Sequence, residues 1–319
     1  MRRKTLIMAM LVLFVLFSGC GEQNTSGSEI SQDAASSNIP FESIGDSAGQ
    51  ENSRQYLTND KISNPNLYKD DWMTIDIPEV GLKNLTFGGR AEGRFTKDSI
   101  RLRPAYIFRS HNPPRYSNSF MHDSYLAVVL ESEILFKDLE NISYGDILYV
   151  CNIDGDSLDE IIVQQIVGMS GGAGSYSSRI FKVVGDEIQE IFNSVILNPS
   201  GGWSIFDTGF ASEFLNEYKL KITNSITGYS TVIDISERYI DEFFDENGMG
   251  KRNVSIWCDS FMKFYPEDAD GDGSFEIVCL QYVSLDSHPD YIGDAKSILK
   301  FNPQTQEFEV IQTEFISAE

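Results

Sequence analysis

The chain has 319 residues, with 48 Asp plus Glu against 25 Lys plus Arg and a formal charge of −23. Forty-one per cent of the residues are hydrophobic and 12% aromatic, which suffices for one large or two ordinary cores and excludes a wholly disordered chain. The acidity excludes phosphate-backbone binding and suits a cation ligand or solubility, while a single long apolar run excludes a multi-span membrane protein.

That run comes first. Arg2, Arg3 and Lys4 precede twelve apolar residues from Leu6 to Phe17. A helix of this length reaches only about 18 Å, against about 30 Å of bilayer hydrocarbon, so residues 1–19 read as an export signal. Leu16-Phe17-Ser18-Gly19-Cys20 resembles the bacterial lipoprotein cleavage box. The resemblance implies cleavage after Gly19, lipidation of Cys20 and anchoring at the extracytoplasmic face of the cell membrane. Loss of the three N-terminal bases takes the formal charge from −23 to −26. Residues 20–53 are rich in Ser, Gly, Asn and acids, bury too little to fold, and are expected to form a tether. Residues 54–319 are the expected folded domain.

From about Leu85 onward, short apolar or alternating runs are separated by Gly, Asn, Asp and Pro clusters, the pattern of an all-β domain. Leu126–Leu130 and Ile134–Lys137 form a predicted hairpin. Strands are predicted at Ile147–Cys151, Glu160–Val167, Arg179–Val184 and Glu187–Phe192, and a second hairpin at Tyr218–Thr223 with Tyr229–Ile235. One minor helix is predicted at Ser236–Glu246, with Ser236 as its cap and Gly248 just past its end. Cys151, Cys258 and Cys279 contain no C-x-x-C pair; Cys151 and Cys279 sit in apolar runs and read as small buried hydrophobes.

Two loops repeat one pattern. The first is Asn152-Ile-Asp154-Gly-Asp156-Ser-Leu158-Asp-Glu160; the second is Asp268-Ala-Asp270-Gly-Asp272-Gly-Ser274-Phe-Glu276. Oxygen side chains stand at loop positions 1, 3, 5 and 9, and an apolar strand follows each. Alternate side chains of a tightly curled loop converge, so these oxygens can cage a hard cation such as Ca²⁺. Position 12 is Val163 or Cys279 rather than Glu, and no helices flank the loops, which excludes an EF-hand. The pattern resembles the strand–loop–strand calcium motif of FG-GAP or VCBS-type repeats, as in integrin alpha-chain propellers.

That resemblance assigns calcium to Asn152, Asp154, Asp156, the Leu158 carbonyl and Glu160. In the second loop it assigns Asp268, Asp270, Asp272, the Ser274 carbonyl and Glu276. Asn152 stands where the motif has Asp, and Ser157 where it has Gly. With the greater excess of carboxylates, the second loop has more to gain from a cation. The expected architecture is a set of propeller-like meanders, about four units and open or closed, with a β-sandwich as the alternative. Residues 201–257 would be a degenerate unit or an insertion.

Enzyme signals are weak. Gly168-Met169-Ser170-Gly171-Gly172 matches G-x-S-x-G, but a strand rather than the required helix is predicted after it. His111, His122 and His288 lie in Pro- or Ser-rich stretches and read as surface-loop residues. Aromatic residues near Gly and Pro (Trp203, Phe206, Phe210, Tyr106, Phe108, Tyr116) suggest either loop anchoring or a binding surface. The reading is a lipid-anchored, calcium-binding, non-catalytic protein with a protein or polysaccharide ligand and no nucleic acid. A calcium-stabilised envelope glycoside hydrolase is the alternative, and a solute-binding lipoprotein a weaker one.

Overall fold

The computed structural model describes residues 75–77, 82–110, 122–131, 133–168, 175–197, 203–237, 243–251, 256–285 and 290–318. They belong to one unit, Ser53–Glu319. The signal, Cys20, the tether, His111, Tyr116, Ser170 and His288 lie outside the described residues.

The domain is all-β and every strand pairing is antiparallel. The first sheet runs β1 (Ile75–Ile77), β2 (Leu82–Gly93), β3 (Arg103–Ser110), β4 (His122–Val129) and β5 (Ile134–Ser143) in sequence order. The second runs β6 (Gly145–Cys151), β7 (Glu160–Gly168), β8 (Ser175–Val184) and β9 (Glu187–Asn193). A ribbon of β10 (Val195–Leu197) and β11 (Trp203–Ile205) leads into a third sheet of β12 (Phe210–Phe214), β13 (Lys219–Asn224) and β14 (Ser230–Asp234). The fourth sheet is β15 (Trp257–Glu267), β16 (Glu276–Ser284), β17 (Tyr291–Asn302) and β18 (Glu307–Ser317). Each is a meander of neighbouring strands, and none closes on itself.

Strand patterning follows what each face touches. β13 alternates, burying Leu220, Ile222 and Asn224 on one side. β7 is buried on both faces from Glu160 to Gln165, with Ile161, Ile162 and Val163 as its apolar run. Its Ile161 and Val163 pack with Ala105, Ile107, Leu126 and Val128 of the first sheet. Ile162, between them on the opposite face, packs with Phe261, Phe264, Ile277 and Cys279 of the fourth sheet. The second sheet is therefore the central layer of these three.

The fourth sheet uses one face twice. Ile277 and Cys279 of β16 meet the second sheet, whereas Val283, at the same strand parity, packs with Leu220, Ile222 and Phe243. Residues 201–257 thus supply a sheet that lies beside the second one rather than between the two loop-bearing units. No helix stands among the described elements; of the helix predicted at Ser236–Glu246, residues 238–242 lie outside the described residues, Phe243 has helical backbone, and Phe244 bridges Gly250 across a turn. Phe243 and Phe244 are buried against Phe214 and Tyr218.

Cys151 and Cys279 are free and buried among the apolar residues shared by the second and fourth sheets, as expected. Burial pushes the half-buried Cys258 thiol up to about 12, with Asp259 adding to the shift.

Candidate metal centres

The two loops have the same backbone. Position 4 takes a left-handed conformation in both, at Gly155 (φ 77°) and Gly271 (φ 75°). Position 6 does so as well, at Ser157 (φ 71°) and Gly273 (φ 88°). These two bends curl the chain between β6 and β7, and between β15 and β16.

The side-chain hydrogen bonds repeat too. Glu160 Oε2 accepts from the Ile153 N–H at 2.8 Å, and Glu276 Oε2 from the Ala269 N–H at 3.1 Å. Asp154 Oδ1 accepts from Asp156 N–H at 3.0 Å, and Asp270 Oδ1 from Asp272 N–H at 3.2 Å. Asp156 Oδ1 accepts from Leu158 N–H, and Asp272 Oδ1 from Ser274 N–H, both at 2.8 Å. Position 1 is held less uniformly: Asn152 Oδ1 accepts from Gly155 N–H at 2.9 Å, and Asp268 Oδ2 from Gly273 N–H at 3.3 Å.

One oxygen of each carboxylate at positions 3, 5 and 9 is thereby tied to the loop, and the other is turned inward. Suitable ligand atoms of Asp154, Asp156 and Glu160 lie within 4.8 Å of one another, as do those of Asp268, Asp270 and Glu276. Glu160 and Glu276 are almost fully buried, and the Oε1 atom of each makes no well-directed hydrogen bond. Burial pushes the Glu160 carboxyl up to about 7; the Ile153 N–H opposes the shift and the charge of Asp154 adds to it.

Sequence reasoning missed the residue that faces these oxygens. Lys182 Nζ pairs with Asp154 Oδ2, with Asp156 Oδ2 at 2.9 Å and with Glu160 Oε1 at 3.5 Å. Lys300 Nζ pairs with Asp270 Oδ2 at 2.7 Å, Asp272 Oδ2 at 3.5 Å and Glu276 Oε1 at 2.7 Å. Desolvation works against the Lys182 ammonium, but Asp154 and Asp156 outweigh it and raise its pKa. Asp270 and Glu276 raise that of Lys300.

The loops also touch each other. Phe275 N–H donates to the Asn152 carbonyl at 2.9 Å, and a Cβ on Gly155 would lie 3.3 Å from Ser274 Oγ. The first loop is tied to the first sheet as well: Asp159 Oδ2 accepts from Arg94 N–H at 2.6 Å, and Asp159 N–H donates to the Arg94 carbonyl at 2.7 Å.

The chain is similar to the YybI C-terminal domain family over residues 208–316. That stretch holds the third and fourth sheets, the second loop and Lys300. Over 167 residues, 51% of its length, the chain is also 25% identical to the protein YybI of Bacillus subtilis (strain 168). The match covers 60% of that relative.

The other expected sites fare differently. His122 is not a surface-loop residue: it opens β4 and is buried against Asp146. Tyr106 and Phe108 are buried with Phe87, while Phe206 and Phe210 are partly buried against two of the cores. The Trp203 side chain lies outside the described residues. Among the described residues the element after β7 is the antiparallel strand β8, with Gly168 opposite Ser175.

Proposed function

We propose that this chain is a lipid-anchored, extracytoplasmic protein with a non-catalytic binding role whose two loops take up structural Ca²⁺. The observation that carries this reading is the repeated seat. In two loops 116 residues apart, carboxylate oxygens at positions 3, 5 and 9 face one ammonium, and three carboxylates gather within 4.8 Å of one another, at positions 3, 5 and 9 in the first loop and 1, 3 and 9 in the second. All of these donors are hard oxygens, the chemistry Ca²⁺ selects, and carbonyls at position 7 and water complete such a cage. Successive antiparallel meanders packed face to face support a propeller-like arrangement of the loop-bearing units.

Support for a binding surface comes from the outer face of the fourth sheet. Trp257 is 56% exposed and stands opposite Ser284, which in turn stands opposite Tyr291. Tyr282 and Tyr291 stack with ring centroids 4.3 Å apart. Aromatic faces of this kind suit a polysaccharide or a protein partner. Attachment to the membrane is through Cys20.

Calorimetric titration of the purified protein with Ca²⁺, paired with thermal unfolding, tests the calcium reading. At ten times the dissociation constant, an ion bound only by the folded state adds about 1.4 kcal/mol, a rise in Tm of about 2–4 °C for a domain of this size. Neither heat nor a shift at millimolar Ca²⁺ would reject it. Cys20→Ala should move the protein from the membrane to the soluble fraction, and continued pelleting would reject acyl anchoring.

A further inference from the structure

Lys182 and Lys300 hold equivalent places in two separate units. Ile161 pairs with Phe181 and Ile277 with Leu299, so each lysine lies one step beyond that pair, beside the Glu that ends its loop. Each ammonium faces the same oxygens: Oδ2 at positions 3 and 5, and Oε1 at position 9. In a chain with 25 basic residues and 48 acidic ones, both seats nonetheless contain a lysine.

We propose that each lysine is the resident cation of its loop, and that Ca²⁺ enters only by displacing the ammonium. The loops are then ammonium–calcium exchange sites, an inference that rests on the calcium reading above. Two cations cannot share the seat. Calcium bonded at about 2.3–2.6 Å to oxygens that already lie against Nζ would stand within roughly 3–4 Å of the ammonium, inside a partly desolvated cage.

The oxygen set favours the divalent ion once it is abundant. With its ammonium seated and every carboxyl ionised, the cluster of Asp154, Asp156 and Glu160 carries two net negative charges, and that of Asp268, Asp270, Asp272 and Glu276 carries three. The lysine stem is long and rotatable, so the ammonium can leave for water without moving the strand. The Lys300 side chain is 37% exposed and that of Lys182 20%, and the second seat carries the larger excess charge. The second loop therefore exchanges first. In metal-free protein the lysines keep the carboxylates together, so the loops stay closed without calcium and respond to its concentration.

The decisive experiment maps lysine acetylation by an N-hydroxysuccinimide ester on the full-length chain, by mass spectrometry, in EDTA and across a Ca²⁺ titration. Lys182 and Lys300 should be protected in EDTA and become several-fold more reactive with Ca²⁺, Lys300 at the lower concentration. Lys219, paired with Glu217 at the surface, should not change. K182M and K300M should each raise the Ca²⁺ affinity of their own loop by about tenfold, the scale of a typical coupling between competing ligands.

Calcium binding with both lysines still protected, or with equal affinity in wild type and variants, overturns the exchange and leaves calcium uptake standing. Binding by neither wild type nor variants overturns both. Binding by the variants alone supports exchange with the ammonium dominant. If a variant does not fold, the acetylation of wild type decides by itself.

Discussion

A carboxylate with no exposure must be surrounded by donors, and Asp146 is. Its Oδ2 accepts from Arg109 Nε at 2.7 Å and lies 3.2 Å from His122 Nε2, while its Oδ1 accepts from Ser124 Oγ at 3.0 Å and Gln165 Nε2 at 3.1 Å. These partners come from β3, β4 and β7, so one side chain of β6 fastens the first sheet to the second. Burial opposes ionisation, but His122 and Arg109 more than offset it and hold the carboxyl well below its usual range. A depressed carboxyl pKa stabilises the fold above the unfolded value of about 3.9, and that stability drains away as pH falls below it. Asp146→Ala, which strands the Arg109 charge, should cost about 3–5 kcal/mol in urea unfolding at neutral pH. Asp146→Asn should also flatten the loss of stability between about pH 5 and pH 3. A variant with wild-type acid sensitivity would show that the joint does not depend on the ionised group.

At the scale of the loop, one of the two departures from the motif bears on the backbone. Ser157 occupies a left-handed position that the second loop gives to Gly273. A side chain there costs about 1–2 kcal/mol, while glycine adds about 0.5–1 kcal/mol of unfolded-state entropy to be lost. Ser157→Gly should therefore stabilise the protein by up to about 1 kcal/mol, and Gly273→Ser should destabilise it similarly, both read as shifts in the urea midpoint. Unchanged midpoints would mean that the loop relaxes around the Cβ. Such bends were legible in the sequence because Asp, Asn and Gly at fixed local offsets determine them. The strands of the second sheet were equally legible, since period-two patterning and turn residues mark them: Glu187–Phe192 was expected and Glu187–Asn193 is found. Lys182 and Lys300 were not. The lysine follows its Glu by 22 residues in one unit and 24 in the other, because the connections between the strands differ. Only the hydrogen-bonded register brings both to the same seat. His122 was misread for a related reason: the Pro- and Ser-rich stretch before it signals a loop, and nothing local shows that β4 begins there or that Asp146 waits across the sheet joint.

At the scale of the molecule, the family match and the packing divide the chain differently. Residues 208–316 include the whole third sheet and all but the last residue of the fourth. Half of the inner face of the fourth sheet, however, belongs to a shared core. Phe261, Phe264, Ile277, Cys279, Leu299, Phe301, Phe308 and Val310 pack against Cys151, Ile153, Ile162, Ile180 and Phe192 of the preceding unit. Cutting at residue 208 would bare that face, forfeiting about 1.5–3 kcal/mol for each large apolar side chain no longer buried. It would also remove Gln164, whose Nε2 donates to the Phe261 carbonyl at 2.7 Å, and the Asn152 carbonyl that receives Phe275 N–H. The isolated 208–316 segment should therefore bind a hydrophobic dye, associate at micromolar concentration and yield to protease, whereas the 54–319 chain resists under the same conditions. A monomeric, protease-resistant 208–316 segment with a cooperative melt would show that the contact between the second and fourth sheets joins two independently stable bodies. The loop seats would then have to be treated one at a time, because the bond from Phe275 to Asn152 would no longer link parts of a single cooperative core.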